Sequence, residues 1–565
     1  MFRKTLSFLL LLLALSTFFV STSNSTLIKA DKILYNGVIF TSNVNNPMVE
    51  ALAIKSGYIL GVGTTVEMMN FNGIDTQLFD LEGRVAIPGF NDSHIHFLPY
   101  DVPGSIRITH PEEFVPGPGP NVAEVMALIQ EKNVDPNIPP DAPFFVIVGE
   151  GFIDDPAQPS INRLSIDAIA PYRPVFIQGV AGHYLVVNSA TLFVAGISDT
   201  EANPFGGYYE RFEGTPIING RLQQYAIYDV VKRLRGMIPD EYFQSQMAPL
   251  FQQLVEWGVT SIQDIPIGLS SARYENILKT MPVPIRVRNV AFPFSIEESH
   301  NIYNTTVINP TDKIISAGIK WITDGTQQES YAALTQEYYD NPGWYGEFSF
   351  SNEDFSQMVA DGLTGWNLNK QQRQFHCVGD QAIENLLTTM SSSAPDWLWS
   401  LRRVTIAHAD MIGPDMIADI AAKNIVPLKF PSQFIYPYVW YSRLGAERFS
   451  TVQPLKSLVD GGVKISLASD MLGGVWNPFL TLKLAVAHPT NPAEALDLPT
   501  AIIAHTLGGA YAEYMELFKG SLQPGRFADL VVLDTNIFDP ANFMTIENTR
   551  SVLTLVGGNI VYNNL

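Results

Sequence analysis

A single cysteine, Cys377, stands in a chain of 565 residues, so no internal disulfide can form and stability must come from packing and bound metal. Basic residues are scarce as well. The 35 Lys and Arg face 56 Asp and Glu, a net charge of −21, and no Lys/Arg-rich run offsets it locally. Such a field repels phosphate backbones and argues against a nucleic-acid partner, although it says nothing of the substrate. Charged residues make up only 16% and apolar residues 46%, which excludes a disordered chain and provides for a large core. Neither an internal repeat nor a low-complexity linker interrupts the sequence.

The one long apolar run covers residues 6–20, after Arg3 and Lys4 and before small polar residues from Ser21 to Thr26. This is the pattern of a secretory signal peptide over residues 1–26, and it implies a secreted or periplasmic protein with no membrane contact after removal. An uncleaved anchor is the alternative, disfavoured because the run falls short of the ~20 residues that span a bilayer. No cysteine follows the run, which excludes a lipoprotein. Asn24, Asn91 and Asn304 each begin a glycosylation acceptor pattern, and Asn91 falls where a buried site is expected.

Short strands are expected at residues 31–41, 51–62 (turning at Lys55-Ser56-Gly57) and 76–85, and the style resumes at 529–534 and 551–561. Together they suggest one composite β domain, residues 27–85 with 519–565. Between them, in residues 86–518, apolar β-branched runs alternate with helical stretches such as 239–257 and 380–390. Eight candidate strands can be placed, at residues 85–88, 175–179, 261–264, 318–324, 373–377, 404–408, 425–428 and 464–470. That alternation fits an α/β fold closed as a (β/α)8 TIM barrel better than an open sheet.

Chemistry concentrates at the ends of these runs. Residues two apart on a strand face one side, so His94 and His96 in Asp92-Ser93-His94-Ile95-His96 can present two imidazoles to one point. Imidazole is a common ligand for zinc, and Asp92 could orient such a ligand. His376, His408 and Asp470 each end a later strand, where barrel enzymes carry their catalytic groups. Any one of them alone reads as an ordinary strand-end polar residue. Four histidines so placed, out of nine in the chain, make the bland reading weaker. Lys320 sits inside an apolar strand, where a free ammonium is costly. Reaction with carbon dioxide would turn it into an anionic carbamate that bridges metal ions. A snorkelling or salt-bridged lysine is the alternative, and the strand alone leaves both open.

The ordered set of motifs resembles the amidohydrolase superfamily, and within it the YtcJ-like branch that includes N-substituted formamide deformylase. The matching pieces run from Pro88-Gly89-Phe90 with Asp92 to His96, through Gly182-His183 with Val187-Asn188-Ser189 and Gly258-Val259-Thr260-Ser261. They continue with Ile319-Lys320, Asp324-Gly325, His376 with Gly379-Asp380-Gln381, His408-Ala409, Ser469-Asp470 and Asn477-Pro478, and end at Pro524-Gly525-Arg526-Phe527-Ala528-Asp529-Leu530. The resemblance implies a barrel with a small β-sandwich-like domain built from both chain ends. It implies one or two divalent metal ions, zinc by its usual preference, held by His94, His96, His376, His408, Asp470 and a carboxylated Lys320. Asp470 would also be the general base, and His183, after the second strand, would contact substrate or a tetrahedral oxyanion. Three departures touch substrate choice and metal number: Gln224 stands where relatives often carry Glu, Ala407 where they often carry Glu before the sixth-strand histidine, and Phe430-Pro431-Ser432-Gln433 only loosely matches their usual Ser-x-Gln-Pro.

The expected activity is therefore metal-dependent hydrolysis of a C–N bond, of amide type, in a small molecule, with self-association left open. A mononuclear deaminase or cyclic-amide hydrolase, needing an uncarboxylated Lys320, is the first rival. A non-catalytic binding protein that kept the fold is the second. Aromatic residues at 208–209, 338–339, 344–345 and 434–441 could line a pocket or simply pack on the barrel. Cys377 reads as a buried apolar residue, and His110, His300, His488 and His505 have no assigned role.

Overall fold

Strands of a parallel barrel are covered on both faces, and eight strands with almost every residue buried form one parallel sheet in the computed structural model. The structure describes residues 28–98, 102–109, 121–148, 161–179, 181–305, 308–363, 372–435, 437–474 and 476–565. The signal-type segment at residues 1–26 and His110 lie outside them.

The strands are β1 (Phe90–Ile95), β2 (Val259–Asp264), β3 (Arg286–Ala291), β4 (Ile314–Ile322), β5 (Arg373–Cys377), β6 (Thr405–His408), β7 (Val426–Lys429) and β8 (Ser466–Leu467). Each pairs in parallel with the next. The ring closes just beyond β8. Asp470 N–H donates to His94 O at 2.9 Å, His96 N–H to Met471 O at 2.9 Å, and Gly473 N–H to His96 O at 2.7 Å. The closing seam thus runs through three of the residues singled out above, His94, His96 and Asp470.

Helices pack outside the strands by ordinary amphipathic logic. In Asp380–Ser393 the buried residues Ala382, Ile383, Leu386, Leu387 and Met390 fall on one stripe. Ser270 starts the helix Ser271–Lys279 by accepting the Arg273 N–H.

Two further sheets come from the chain ends. One holds Tyr58–Gly63, Ala51–Lys55, Lys32–Tyr35 and Gln77–Asp80 in that order. The other holds Asn559–Asn563, Ser551–Val556, Leu530–Leu533, Val85–Pro88, Val38–Phe40 and Met48–Val49. Leu34, Ile54 and Ile59 of the first share one apolar core with Ile39, Ala86, Val532 and Leu555 of the second. This is sandwich packing. Arg286 of β3 bolts it to the barrel, meeting both Asp529 oxygens at 2.7 and 3.1 Å with Phe527 3.7 Å beneath its guanidinium.

Three strand expectations are corrected. Residues 85–88 belong to the sandwich, and the first barrel strand starts at Phe90, after Pro88-Gly89. Residues 175–179 are not a barrel strand. Val175–Gly179 lies in a separate six-stranded sheet with Ile106–Thr109, Phe144–Val148, Tyr184–Val187, Ile218–Gln224 and Gly207–Arg211, inserted between β1 and β2. The third barrel strand, β3, is absent from the expected set, and its arginines at alternate positions are the pattern of a strand with one face in water. Arg286 and Arg288 are in fact buried on paired carboxylates. The two errors cancel in the count, so Lys320 still falls on β4.

Arg288 also anchors the interior. Its Nη1 lies 3.3 Å from Glu513, whose other oxygen takes Lys519 Nζ at 2.6 Å and Asn91 Nδ2 at 2.9 Å. Burial opposes ionisation of Glu513, but the Lys519 and Arg288 charges outweigh it and hold the carboxyl below its ordinary value. Glu513→Ala would strand two buried cations, a loss of about 3–5 kcal/mol. The midpoint of a urea titration followed by circular dichroism should fall accordingly, and an unchanged midpoint would refute this account of the network.

Candidate metal centre

His94 and His96 leave the end of β1 on the same face, as strand alternation requires, and both point into the barrel mouth. His96 Nδ1 lies 3.1 Å from the Ile265 carbonyl, so Nδ1 carries the proton and Nε2 keeps its lone pair. His94 Nδ1 has no hydrogen-bond partner, and its ring rests 5.0 Å from Phe430. Lys320 Nζ, from β4, lies 2.8 Å from His94 Nε2 and 3.2 Å from His96 Nε2. Asp470, just past β8, places Oδ1 at 3.3 Å from His94 Nε2 and 3.6 Å from His96 Nε2, and Oδ2 at 3.5 Å from His408 Nε2.

His376 ends β5 with its ring centroid 4.3 Å from that of His408, and neither of its ring nitrogens has a hydrogen-bond partner. Asp324 Oδ1 stands 3.4 Å from His376 Nδ1. That carboxylate also takes the N–H groups of Ala333, Val378 and Gly379 at 3.1, 3.0 and 2.9 Å, which pins the loops after β4 and β5. Burial pushes Asp324 up to about 7. Gln433, from the loop after β7, meets His408 Nδ1 at 3.0 Å. The structure therefore brings His94, His96, Lys320, His376, His408 and Asp470 to one place.

Burial lowers the pKa of every imidazole here, His376 to about 3 and His94, His96 and His408 well below the usual value, with Lys320 and neighbouring rings adding to the effect. The rings are consequently neutral acceptors at pH 7. Burial likewise draws Lys320 down to about 8. Neutral nitrogens and a carboxylate oxygen 3.3–3.6 Å apart repel one another unless a cation sits among them, a place that the Lys320 ammonium fills for His94 and His96 and that a metal ion could fill for all. Donors of a tetrahedral zinc ion, about 2.0–2.1 Å from the metal, lie roughly 3.3–3.4 Å from one another. The observed separations match that edge. His94, His96 and Asp470 together offer ligand atoms within 4.8 Å of one another. The residues fit a divalent cation.

Backbone strain gathers at the same place. His408, Ala409 and Asp470 hold φ of 69°, 51° and 53°, a region that side chains other than glycine seldom adopt. Lys429 Nζ braces this turn at the Ala409 carbonyl, 2.6 Å away. Asp92 does not orient a ring. It takes the Ser469 hydroxyl at 2.5 Å and the Ser469 N–H at 3.0 Å, fixing the turn that presents Asp470.

His183 does reach the site, but from the inserted sheet rather than from a barrel strand. Its ring lies 4.7 Å from His376, and its Nδ1 is 3.0 Å from Gln224 Oε1. Gln224 itself has φ of 53°. The Gln224 and Gln433 contacts escaped the sequence reading, because amides far away in the chain carry no local signal. Most of the aromatic runs pack: Tyr338, Phe434 and Trp440 share a buried core, and Tyr209 is buried, while Tyr208 lines a cavity. Cys377 is buried. His488 and His505 bond to backbone carbonyls, and His300 pairs with Asp361 at 2.6 Å.

The amidohydrolase family model matches residues 77–562. The chain is 26% identical over 573 residues to the Arabidopsis thaliana protein LONG AFTER FAR-RED 3, across 95% of this chain and 92% of that one. It is 24% identical over 563 residues to an N-substituted formamide deformylase of Arthrobacter pascens, across 94% and 98%. Among solved structures, an uncharacterized metal-dependent hydrolase from Pyrococcus horikoshii superposes with a TM-score of 0.67 at 19% identity, covering 92% of this chain and 99% of that one.

Proposed function

This chain belongs to the amidohydrolase family of metal-dependent hydrolases, and from that premise we propose that it cleaves an amide-type C–N bond of a small molecule, with Asp470 as general base. The observation that carries the reading is Asp470, whose oxygens stand 3.3, 3.6 and 3.5 Å from the Nε2 atoms of His94, His96 and His408, with Lys320 Nζ 2.8 and 3.2 Å from the first two. Zinc suits this donor set of imidazole and carboxylate, with His376 and a carboxylated Lys320 completing a second position. A divalent cation held there supplies Lewis acidity, which brings the pKa of water from 15.7 toward roughly 7.

Asp470 suits the base role because its side chain, 15% exposed, is the most open of the set, against 0% for His94 and 3% for His408. It can take a proton from water at the mouth and return it to the departing nitrogen. With the Gln224 oxygen on Nδ1, His183 Nε2 is an acceptor suited to a substrate N–H. Serving an oxyanion instead requires the Gln224 amide turned over, so that Nε2 carries the proton. The similarity to a formamide deformylase favours an amide over the ring carbon of a deaminase substrate. Export after removal of residues 1–26 belongs to the same reading.

The test is elemental analysis of the purified protein beside a panel of N-substituted formamides and N-acyl amino acids, with and without chelator. Expected are one to two equivalents of metal and hydrolysis that chelation abolishes and zinc restores. Full turnover by demetallated protein would sink the proposal.

A further inference from the structure

The hydrolytic reading leaves unused a cavity of about 110 Å³ at the barrel mouth, roomy enough for several waters or a short alkyl chain. Its wall combines Tyr208 and Gln224 of the inserted sheet with Tyr331, Glu347 and Ser349 from the loop after β4. That loop is tied to the strand carrying Lys320: Ser349 N–H donates to Thr323 O at 2.8 Å, and Phe348 bridges to Asp324. Gln224 belongs to both chambers. Its Oε1 meets His183 Nδ1 at 3.0 Å, while its Nε2 lies where a Cβ on Gly325 would come within 2.7 Å, so glycine leaves the amide its room.

The chemistry of the wall is specific. Glu347 is half-buried, and its hydrogen-bonding neighbour is the Tyr208 hydroxyl at 3.2 Å, whose single proton is shared with Gln223 Oε1 at 2.5 Å. Among the described residues no Lys, Arg or His stands within ion-pair distance of it, whereas its neighbour Glu210 is neutralised by Arg221 at 2.9 Å. Burial raises the Glu347 pKa, as expected of a carboxylate that lacks its cation. The Ser349 hydroxyl is buried without a partner. Aromatic side chains at Tyr208, Tyr331 and Phe348 complete the enclosure. An uncompensated carboxylate beside aromatic rings suits a cation that gains from both. The net charge of −21 adds a long-range field of the same sense.

We propose that this cavity is a substrate subsite for a primary alkylammonium group, carried on the molecule whose C–N bond is cleaved. The word substrate rests on the hydrolytic reading, but cation binding does not. Calorimetric titration of the metal-loaded full chain at low salt with n-butylammonium, and with n-butanol as its uncharged match, separates the two. Butylammonium should bind and butanol should not. Glu347→Gln, which keeps the volume and a hydrogen-bond acceptor for Tyr208, should weaken butylammonium about tenfold. Tyr331→Leu, which leaves the carboxylate in place, should weaken it by a smaller factor and serves if the first variant fails to fold.

Equal binding of the two probes by the wild-type chain, or indifference of butylammonium to Glu347→Gln, overturns the subsite. In an amide panel, members with a terminal ammonium should show lower KM than neutral isosteres. Turnover without that discrimination also overturns it while leaving hydrolysis standing. Cation binding without any turnover would do the reverse.

Discussion

Asp470→Asn should lower kcat by roughly 10²–10⁴-fold, the usual contribution of a positioned general base, while metal content stays close to that of the wild type. The two readouts part company because the substitution removes a basic oxygen but retains the other as a neutral donor atom. The turn that presents residue 470 depends on Asp92 and Ser469, which the substitution does not touch. Single-turnover kinetics with metal measured on the same preparation is the decisive experiment. Turnover comparable to the wild type would remove Asp470 from the base role. Loss of metal in parallel with activity would make it a ligand alone.

Lys320→Ala should halve the metal stoichiometry and lower kcat at least about 10²-fold, since Lewis-acid stabilisation is worth several kcal/mol. The amine stands 2.8 and 3.2 Å from two lone pairs that the site offers to a cation, so an unmodified ammonium would compete for the very position the donors define. Carboxylation would resolve the conflict: the ammonium releases one proton, the free amine bonds through Nζ to the carbon of carbon dioxide and releases a second, and two oxygens sharing one negative charge take the place of a positive charge. Short carboxylates such as acetate or propionate should then restore part of the activity of Lys320→Ala. Wild-type protein loaded with ¹³C-bicarbonate should show a carbamate carbon by NMR. One metal per chain in the wild type, with no such signal and no rescue, would favour the mononuclear deaminase-like rival.

The donors were legible because each sits at a strand end whose local pattern announces it. His94 and His96 alternate along β1, and His376, His408 and Asp470 close apolar runs. The barrel was legible in outline for the same reason. What failed was whatever depends on a distant partner. Nothing local marks β3 as a buried strand, because the carboxylates that bury Arg286 and Arg288, Asp529 and Glu513, come from the far end of the chain. Residues 175–179 are equally apolar whether they build a barrel or a separate sheet, so composition cannot choose between the two. The meeting of Tyr208 with Glu347 is a matter of tertiary structure alone.

The six-stranded sheet inserted between β1 and β2 has a consequence for how such a protein can diversify. All six residues at the candidate centre lie outside the stretch from 97 to 258, whereas His183, Tyr208 and Gln224 lie within it. The six residues of the candidate centre and one wall of the neighbouring cavity are thus encoded on separable lengths of the gene, while Tyr331 and Glu347 of the opposite wall lie with the former. Swapping that stretch between related proteins should change which molecules are accepted while those six residues pass through unaltered.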